Sequence, residues 1–256
     1  MLFVGASLGL LGGGGAILTV PIMVYLFRHP PIVATSYSLF IVGVSSLFGV
    51  WRYHAQQLVD YRVALTFALP SFLGTHTARR VLMPALPEVI FRTGGLGVHR
   101  DQLIMLVFAL VMLGASASMI RRSKVDASGP KRASQSRWVL GLLGLVVGFV
   151  AGFVGAGGGF LIIPALVVVA GMEMSTAVGT SLLIISANSL FGFGGDLLAS
   201  REIDWKFLNA TTGISLVGIL CGTYVSRFVP ASKLKPAFGW FVLIMGSYVL
   251  WSQLYG

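Results

Sequence analysis

The chain interrupts itself twice in the same way. Gly12-Gly13-Gly14-Gly15 is followed by Ala16, Ile17, Leu18, Thr19, Val20 and then Pro21. Gly155-Ala156-Gly157-Gly158-Gly159 is followed by Phe160, Leu161, Ile162, Ile163 and then Pro164, which lies 143 residues beyond Pro21. Both interruptions sit inside apolar runs long enough to meet a bilayer. Clustered glycines and a proline are poor helix formers, so the helix should open there. Open backbone at membrane depth survives only when it is buried in protein or lines a wet cavity. One such cluster is equally well explained by close helix packing through small residues. Two clusters at one offset, each closed by a proline, favour a unit written twice around a broken helix. Secondary transporters use such breaks to aim half-helix N-termini at anions.

Composition fixes the environment. Of the 256 residues, 56% are hydrophobic and only 10% charged, against about 25% charged in a soluble protein. Long apolar runs without ten-residue alternation make this an all-α polytopic membrane protein rather than a barrel. The formal charge is +10, but the basic residues fall between apolar runs. They suit headgroups and topology, and no nucleic-acid partner is expected. The lone Cys221 allows no internal disulfide and no cysteine-cluster metal site. No Lys or Arg precedes Arg28, so a cleavable signal peptide is not expected.

The chain then divides into a first transmembrane repeat (1–120), a basic linker (121–137) and a second transmembrane repeat (138–256). Apolar runs cover 2–27, 33–51, 63–78 and 103–120 in the first repeat, and 138–171, 176–199 and 237–254 in the second. A stretch beginning near Asp204 answers the third run. Ser46-Leu47-Phe48-Gly49 returns as Ser189-Leu190-Phe191-Gly192, Asp60-Tyr61-Arg62 as Asp204-Trp205-Lys206, Gly74-Thr75 as Gly222-Thr223, and Arg79 as Arg227. Ala34-Thr35-Ser36 matches Gly179-Thr180-Ser181 only if two residues are gapped. Residues 81–101, with Pro84, Pro87 and Gly94-Gly95, read as an interfacial segment or loop, and 82–98 has no partner in the second half.

About eight membrane-spanning segments result, each half starting with a glycine-broken helix or a re-entrant hairpin. One broken helix would make the halves parallel, and a hairpin would make them inverted. The positive-inside rule divides the basic residues almost evenly either way. It places the 121–137 linker in the cytoplasm in both. Seventeen residues precede the second glycine cluster, about 25 Å as helix, and eleven precede the first, about 16 Å. The first element is therefore either shortened or begins upstream of Met1.

Candidate site residues follow from what the spans lack. Intramembrane ionisable groups usually mark ion paths, and here Asp196, Glu173 and His54 fall near run ends or in turns. His54, close to the repeated hydroxyl run and able to titrate near neutral pH, is the one candidate for a gating or proton-linked role. The spans instead carry neutral donors: Thr35, Ser36, Thr180, Ser181, Asn188, and the open N–H groups of Gly13, Gly14, Gly15, Gly157, Gly158 and Gly159. These form the candidate substrate-binding set, with Pro21 and Pro164 as the helix breaks. Neutral donors suit an oxyanion that must bind and then leave, whereas a full charge would hold it too tightly. No catalytic set, metal-ligand spacing or cofactor motif is present, so no enzyme is expected.

At these residues the chain resembles the sulfite exporter TauE/SafE family, also called the toluene-sulfonate uptake permease family. The marks are the doubled glycine cluster with its proline, the Ala/Gly-Thr-Ser entries, the Ser-Leu-Phe-Gly pair, the His54–Asp60 segment and the Gly-Thr pair, in the same order twice. The resemblance implies a multi-pass transporter of a bacterial-type inner membrane, and an exporter of small sulfur-containing anions such as sulfite or organosulfonates. An uptake permease or channel-like pathway for another small anion is the alternative, and a membrane scaffold a more distant one. Expected partners are the anion, the bilayer, a coupling ion (proton or sodium) and a second copy of the chain.

Overall fold

In a computed structural model the described residues are 1–11, 16–87, 89–93, 96–123, 137–154, 159–198, 203–229 and 231–255. Both glycine breaks (12–15 and 155–158) and most of the basic linker (124–136) lie outside them. The described chain is helical apart from one hairpin. In the first half, α1 is Leu2–Leu11, α2 Ala16–Pro21, α3 Pro31–Ala55, α4 Tyr61–Thr77, α5 Met83–Ala85 and α6 Arg100–Ser123. In the second, α7 is Arg137–Val154, α8 Gly159–Pro164, α9 Met174–Leu198, α10 Trp205–Val225 and α11 Ala231–Tyr255. Between α5 and α6 the segment expected to be a loop forms an antiparallel pair, β1 Val89–Thr93 and β2 Leu96–His99. Its Val89, Ile90 and Phe91 are strand formers, and Gly94-Gly95 falls between the strands.

Among the described residues, α3, α9 and α10 are each long and apolar enough to cross a membrane. A helix of 25 residues such as α3 reaches about 37 Å, against a hydrocarbon core of about 30 Å. Large apolar side chains face outward, Trp51 at 70% and Trp138 at 88% exposure. That surface is stable in lipid and not in water.

Pro21 and Pro164, expected as helix breaks, are themselves helical. Both hold α-helical dihedrals. Each is followed by a five-residue π turn, Ile22–Leu26 and Ala165–Val169. In both turns the ladder bonds five residues back, Phe27 N–H to Ile22 carbonyl and Ala170 N–H to Ala165 carbonyl. A residue in the left-handed region then ends each segment, Arg28 at φ 55° and Gly171 at φ 66°.

Helix senses come from close backbone contacts. On α7, Gly144, Gly148 and Gly152 lie against Phe67, Ser71 and Thr75 of α4, in rising order. On α1, Gly5 and Gly9 meet Ser215 and Thr223 of α10, also in rising order. A Cβ on Gly148 would stand 2.0 Å from the Ser71 carbonyl oxygen, and one on Gly5 1.9 Å from that of Ser215. Only glycine lets the two backbones approach so closely. Thr75 adds a hydrogen bond to the Gly148 carbonyl, 2.9 Å.

The α3 helix also runs parallel to α10, with Ser45 on Ser215 and Tyr53 on Ser226. Likewise α4 runs parallel to α9, with Asp60 on Thr180, Ser71 on Asn188 and Arg79 on Asp196. The α3 and α9 helices cross antiparallel, with Ser36 on Asp196, Gly43 on Leu190 and Gly49 on Leu182. Since α1 and α3 both follow α10, they share one sense, and α2 carries the chain back between them. By the same logic α8 carries it back between α7 and α9.

Equivalent contacts recur across the halves. Asp60 and Asp204 cap α4 and α10, accepting from Arg62, Val63 and Phe207 N–H groups. Each also donates its own N–H across to the other half, Asp60 to the Thr180 hydroxyl and Asp204 to the Tyr37 hydroxyl, both 2.9 Å. Thr180 thus answers to Tyr37, which keeps the offset near 143 without the gap that matching it to Thr35 required.

Candidate substrate site

The antiparallel crossing of α3 and α9 centres on positions 43–46 and 186–190. Here Ser45 donates to Ser215 of α10 at 2.9 Å, and the Asn188 amide nitrogen donates to Ser71 of α4 at 2.6 Å. These bonds pin each crossing helix to the opposite half. The next residue on each helix is a serine, Ser46 and Ser189. Both are 0% exposed. Neither hydroxyl has a partner among the described residues, and the same holds for Thr19, Ser38 and the Asn188 carbonyl oxygen. A buried polar group left unpaired costs about 1–3 kcal/mol. Native structures hold few of them, and each calls for an explanation.

Thr19 lies on α2, directly after the first glycine cluster, and α2 packs on both α3 and α8. The α8 helix, directly after the second cluster, packs on α9. Apolar side chains enclose this region: Ala16, Val42, Ile162, Ala165 and Ile184 share one buried cluster. Unspent hydroxyls in a dry wall offer a hydrogen-bond-accepting solute several donors and no competing charge.

The sequence-derived set is dispersed rather than gathered. Thr35 and Ser181 spend their hydroxyls on the carbonyls of Ile32 and Val178, three residues back. Ser36 reaches the Ile32 carbonyl and the Asp196 carboxylate. Thr180 accepts from Asp60 at the other end of the crossing. The two Thr-Ser pairs are therefore held apart, and of that set only Asn188 sits at the centre. Gly159 is the buried first residue of α8. Gly13, Gly14, Gly15, Gly157 and Gly158 lie outside the described residues. His54 is exposed, and its Nδ1 meets the Tyr61 hydroxyl at 2.7 Å on the surface of the bundle.

Sequence reasoning passed over Ser46 and Ser189, although the repeated Ser-Leu-Phe-Gly motif contains them. It also took Asp196 for an interfacial residue. Asp196 is 7% exposed and pairs with Arg79, in the π turn Ala78–Leu82 that follows α4. Ser36 donates to the same carboxylate oxygen at 2.5 Å. The signal was faint: a lone acid near a run end gains meaning only once its basic partner is known. Among the described residues no three His, Cys, Asp or Glu side chains cluster.

A family model described as "Sulfite exporter TauE/SafE" matches residues 1–249. The chain belongs to this family. Among its curated relatives is a "Probable membrane transporter protein" of Xylella fastidiosa, 31% identical over 97% of this chain and 91% of its own length. Another is the "Probable membrane transporter protein YjnA" of Bacillus subtilis, 28% identical over 90% of this chain and 89% of its own. No solved structure matches the chain. Family membership and the outward-facing apolar helices together make the protein a membrane transporter.

Proposed function

We propose that the protein is a secondary transporter exporting a small sulfur-containing anion such as sulfite or an organosulfonate. The observation that carries this is the pair of buried, unpartnered hydroxyls, Ser46 and Ser189, at the α3–α9 crossing. Hydroxyls with unspent protons stabilise an oxyanion without trapping it, as a weak multi-site path requires. The proposed binding set also takes in Asn188 and, from the sequence, the N–H groups of Gly13–Gly15 and Gly157–Gly159. Antiparallel crossing of two equivalent helices supports inverted halves, 1–120 and 138–256. Each half begins with a folded-back pair and continues through three crossings. The linker 121–137 then lies in the cytoplasm, beneath a bacterial-type inner membrane. Alternating access rocks one half against the other about the crossing.

The test is counterflow of labelled sulfite, sulfate and sulfoacetate in proteoliposomes. Wild-type protein should show saturable exchange of at least one. Ser46→Ala with Ser189→Ala should raise its half-saturation concentration about a hundredfold, from the loss of two hydrogen bonds to an anion. Exchange unchanged in the double variant would remove the crossing as the site.

A further inference from the structure

We infer that Arg79 is a second, charged oxyanion-binding position at one mouth of the path, with Asp196 as its resident counter-anion. This rests on the transporter reading above. Asp196–Arg79 is the one ion pair among the described residues, and its side chains are 10% and 12% exposed. Three elements from both halves converge on it: the C-terminal end of α9, the π turn after α4, and, through Ser36, the first turns of α3. Taking two charges into such a site is costly, and a buried pair is weak evidence for stability. Its retention calls for another use.

The guanidinium supplies one. It carries five N–H donors in a rigid fork that matches oxyanions. Here Nη1 donates to Asp196, while Nε is buried with no partner among the described residues. Arg79 thus has bonding capacity aimed into the protein that Asp196 does not use. The same fork that holds a carboxylate holds a sulfite or a sulfonate.

The place of the pair gives this exchange a role. Ser36 and Tyr53 lie seventeen positions apart on α3, about 25 Å along the helix axis. Tyr53, the counterpart of Asp196 at the repeat offset, ties the other end of the crossing. Its hydroxyl bonds the Gly9 carbonyl at 3.1 Å and the Ser226 hydroxyl at 3.3 Å. One end therefore closes with a charged contact, while the described contacts of Tyr53 are neutral. An anion leaving the uncharged hydroxyls at the crossing displaces the Asp196 carboxylate from Arg79 at the charged end, and so loosens the contact between α4 and α9 on its way out. On its release Arg79 returns to Asp196, and the mouth closes behind it.

The test uses the full chain in chloride-free proteoliposomes with labelled sulfite, sulfate and sulfoacetate, folding being checked by elution as a single species in detergent. Asp196→Asn removes the competing charge, so half-saturation should fall about tenfold for the transported anion. Arg79→Lys keeps the charge and loses the fork, so half-saturation should rise about tenfold. A purely structural ion pair would move both variants in the same direction, and that result would overturn the exchange. Should Asp196→Asn fail to fold, Arg79→Lys decides alone, and unchanged half-saturation there overturns it. Wild-type protein that carries none of the three anions overturns the transporter reading and this inference together. Wild-type transport with unshifted variants overturns this inference only.

Discussion

The two ends of the α3–α9 crossing are built on one plan from different chemistry. At one end Asp196 of α9 meets Arg79 beyond α4, with Ser36 sharing the carboxylate. At the other, Tyr53 of α3 meets Ser226 beyond α10 and the Gly9 carbonyl of α1. Both contacts tie a crossing helix to the turn after the parallel helix of the opposite half. A charged closure breaks by exchange for another anion, whereas a hydrogen-bonded closure breaks by hydration. The same frame recurs at both ends, and the chemistry at two positions makes them unlike. The two ends therefore offer an approaching anion different chemistry.

The largest expected effect breaks the charged end. Arg79→Ala takes the guanidinium away from the buried Asp196 carboxylate and should cost about 3–5 kcal/mol, read by denaturation in detergent. Tyr53→Phe at the opposite end should cost only about 1 kcal/mol. Equal losses at the two ends would mean that the charge difference is without energetic consequence.

The glycine seams sharpen the comparison where the halves are alike. Gly148→Ala and Gly5→Ala each drive a methyl group into a facing carbonyl, at α7–α4 and α1–α10 respectively. Each should destabilise by about 1–3 kcal/mol through overpacking, and by similar amounts if the two seams are equivalent. Thermal melting of the two purified variants side by side is the check. A loss confined to Gly148 would show that the α1 seam, built on a helix of ten residues against eighteen, carries less of the fold.

A further modest effect concerns the residues ending the two π turns. Gly171→Ala places a Cβ in the left-handed region and should cost about 1–2 kcal/mol. Arg28 already bears that cost at the same position of the first half. Gly171→Arg should therefore still fold and insert, which membrane fractionation would report. Failure to insert would show that the first half tolerates a strain the second cannot.

Much of the plan was legible in the residues alone. Hydropathy and low charge settled the membrane, because burial in lipid leaves a compositional trace in every span. The offset of 143 between Pro21 and Pro164 suggested a doubling, and the two π turns recur at that offset. Asp60 and Asp204, matched by sequence, proved to be matched caps. The hydroxyl site was legible only in part. Asn188 was found, but Thr35 and Ser181 bond their own helices, and Ser46 and Ser189 passed unnoticed among many serines. A hydroxyl in a helix looks the same in sequence whether its proton is spent on a carbonyl three residues back or left unspent.

By itself, then, the sequence determined the solvent and the helical class, and it pointed to a repeat. Each of these follows from local composition or from self-similarity. Only the tertiary structure decided that α3 and α9 cross antiparallel, that Ser46 and Ser189 are buried with unspent hydroxyls near that crossing, and that Asp196 is paired. The apolar pattern of a span carries no record of its sense. Contacts between positions such as 36 and 196 depend on how distant helices register.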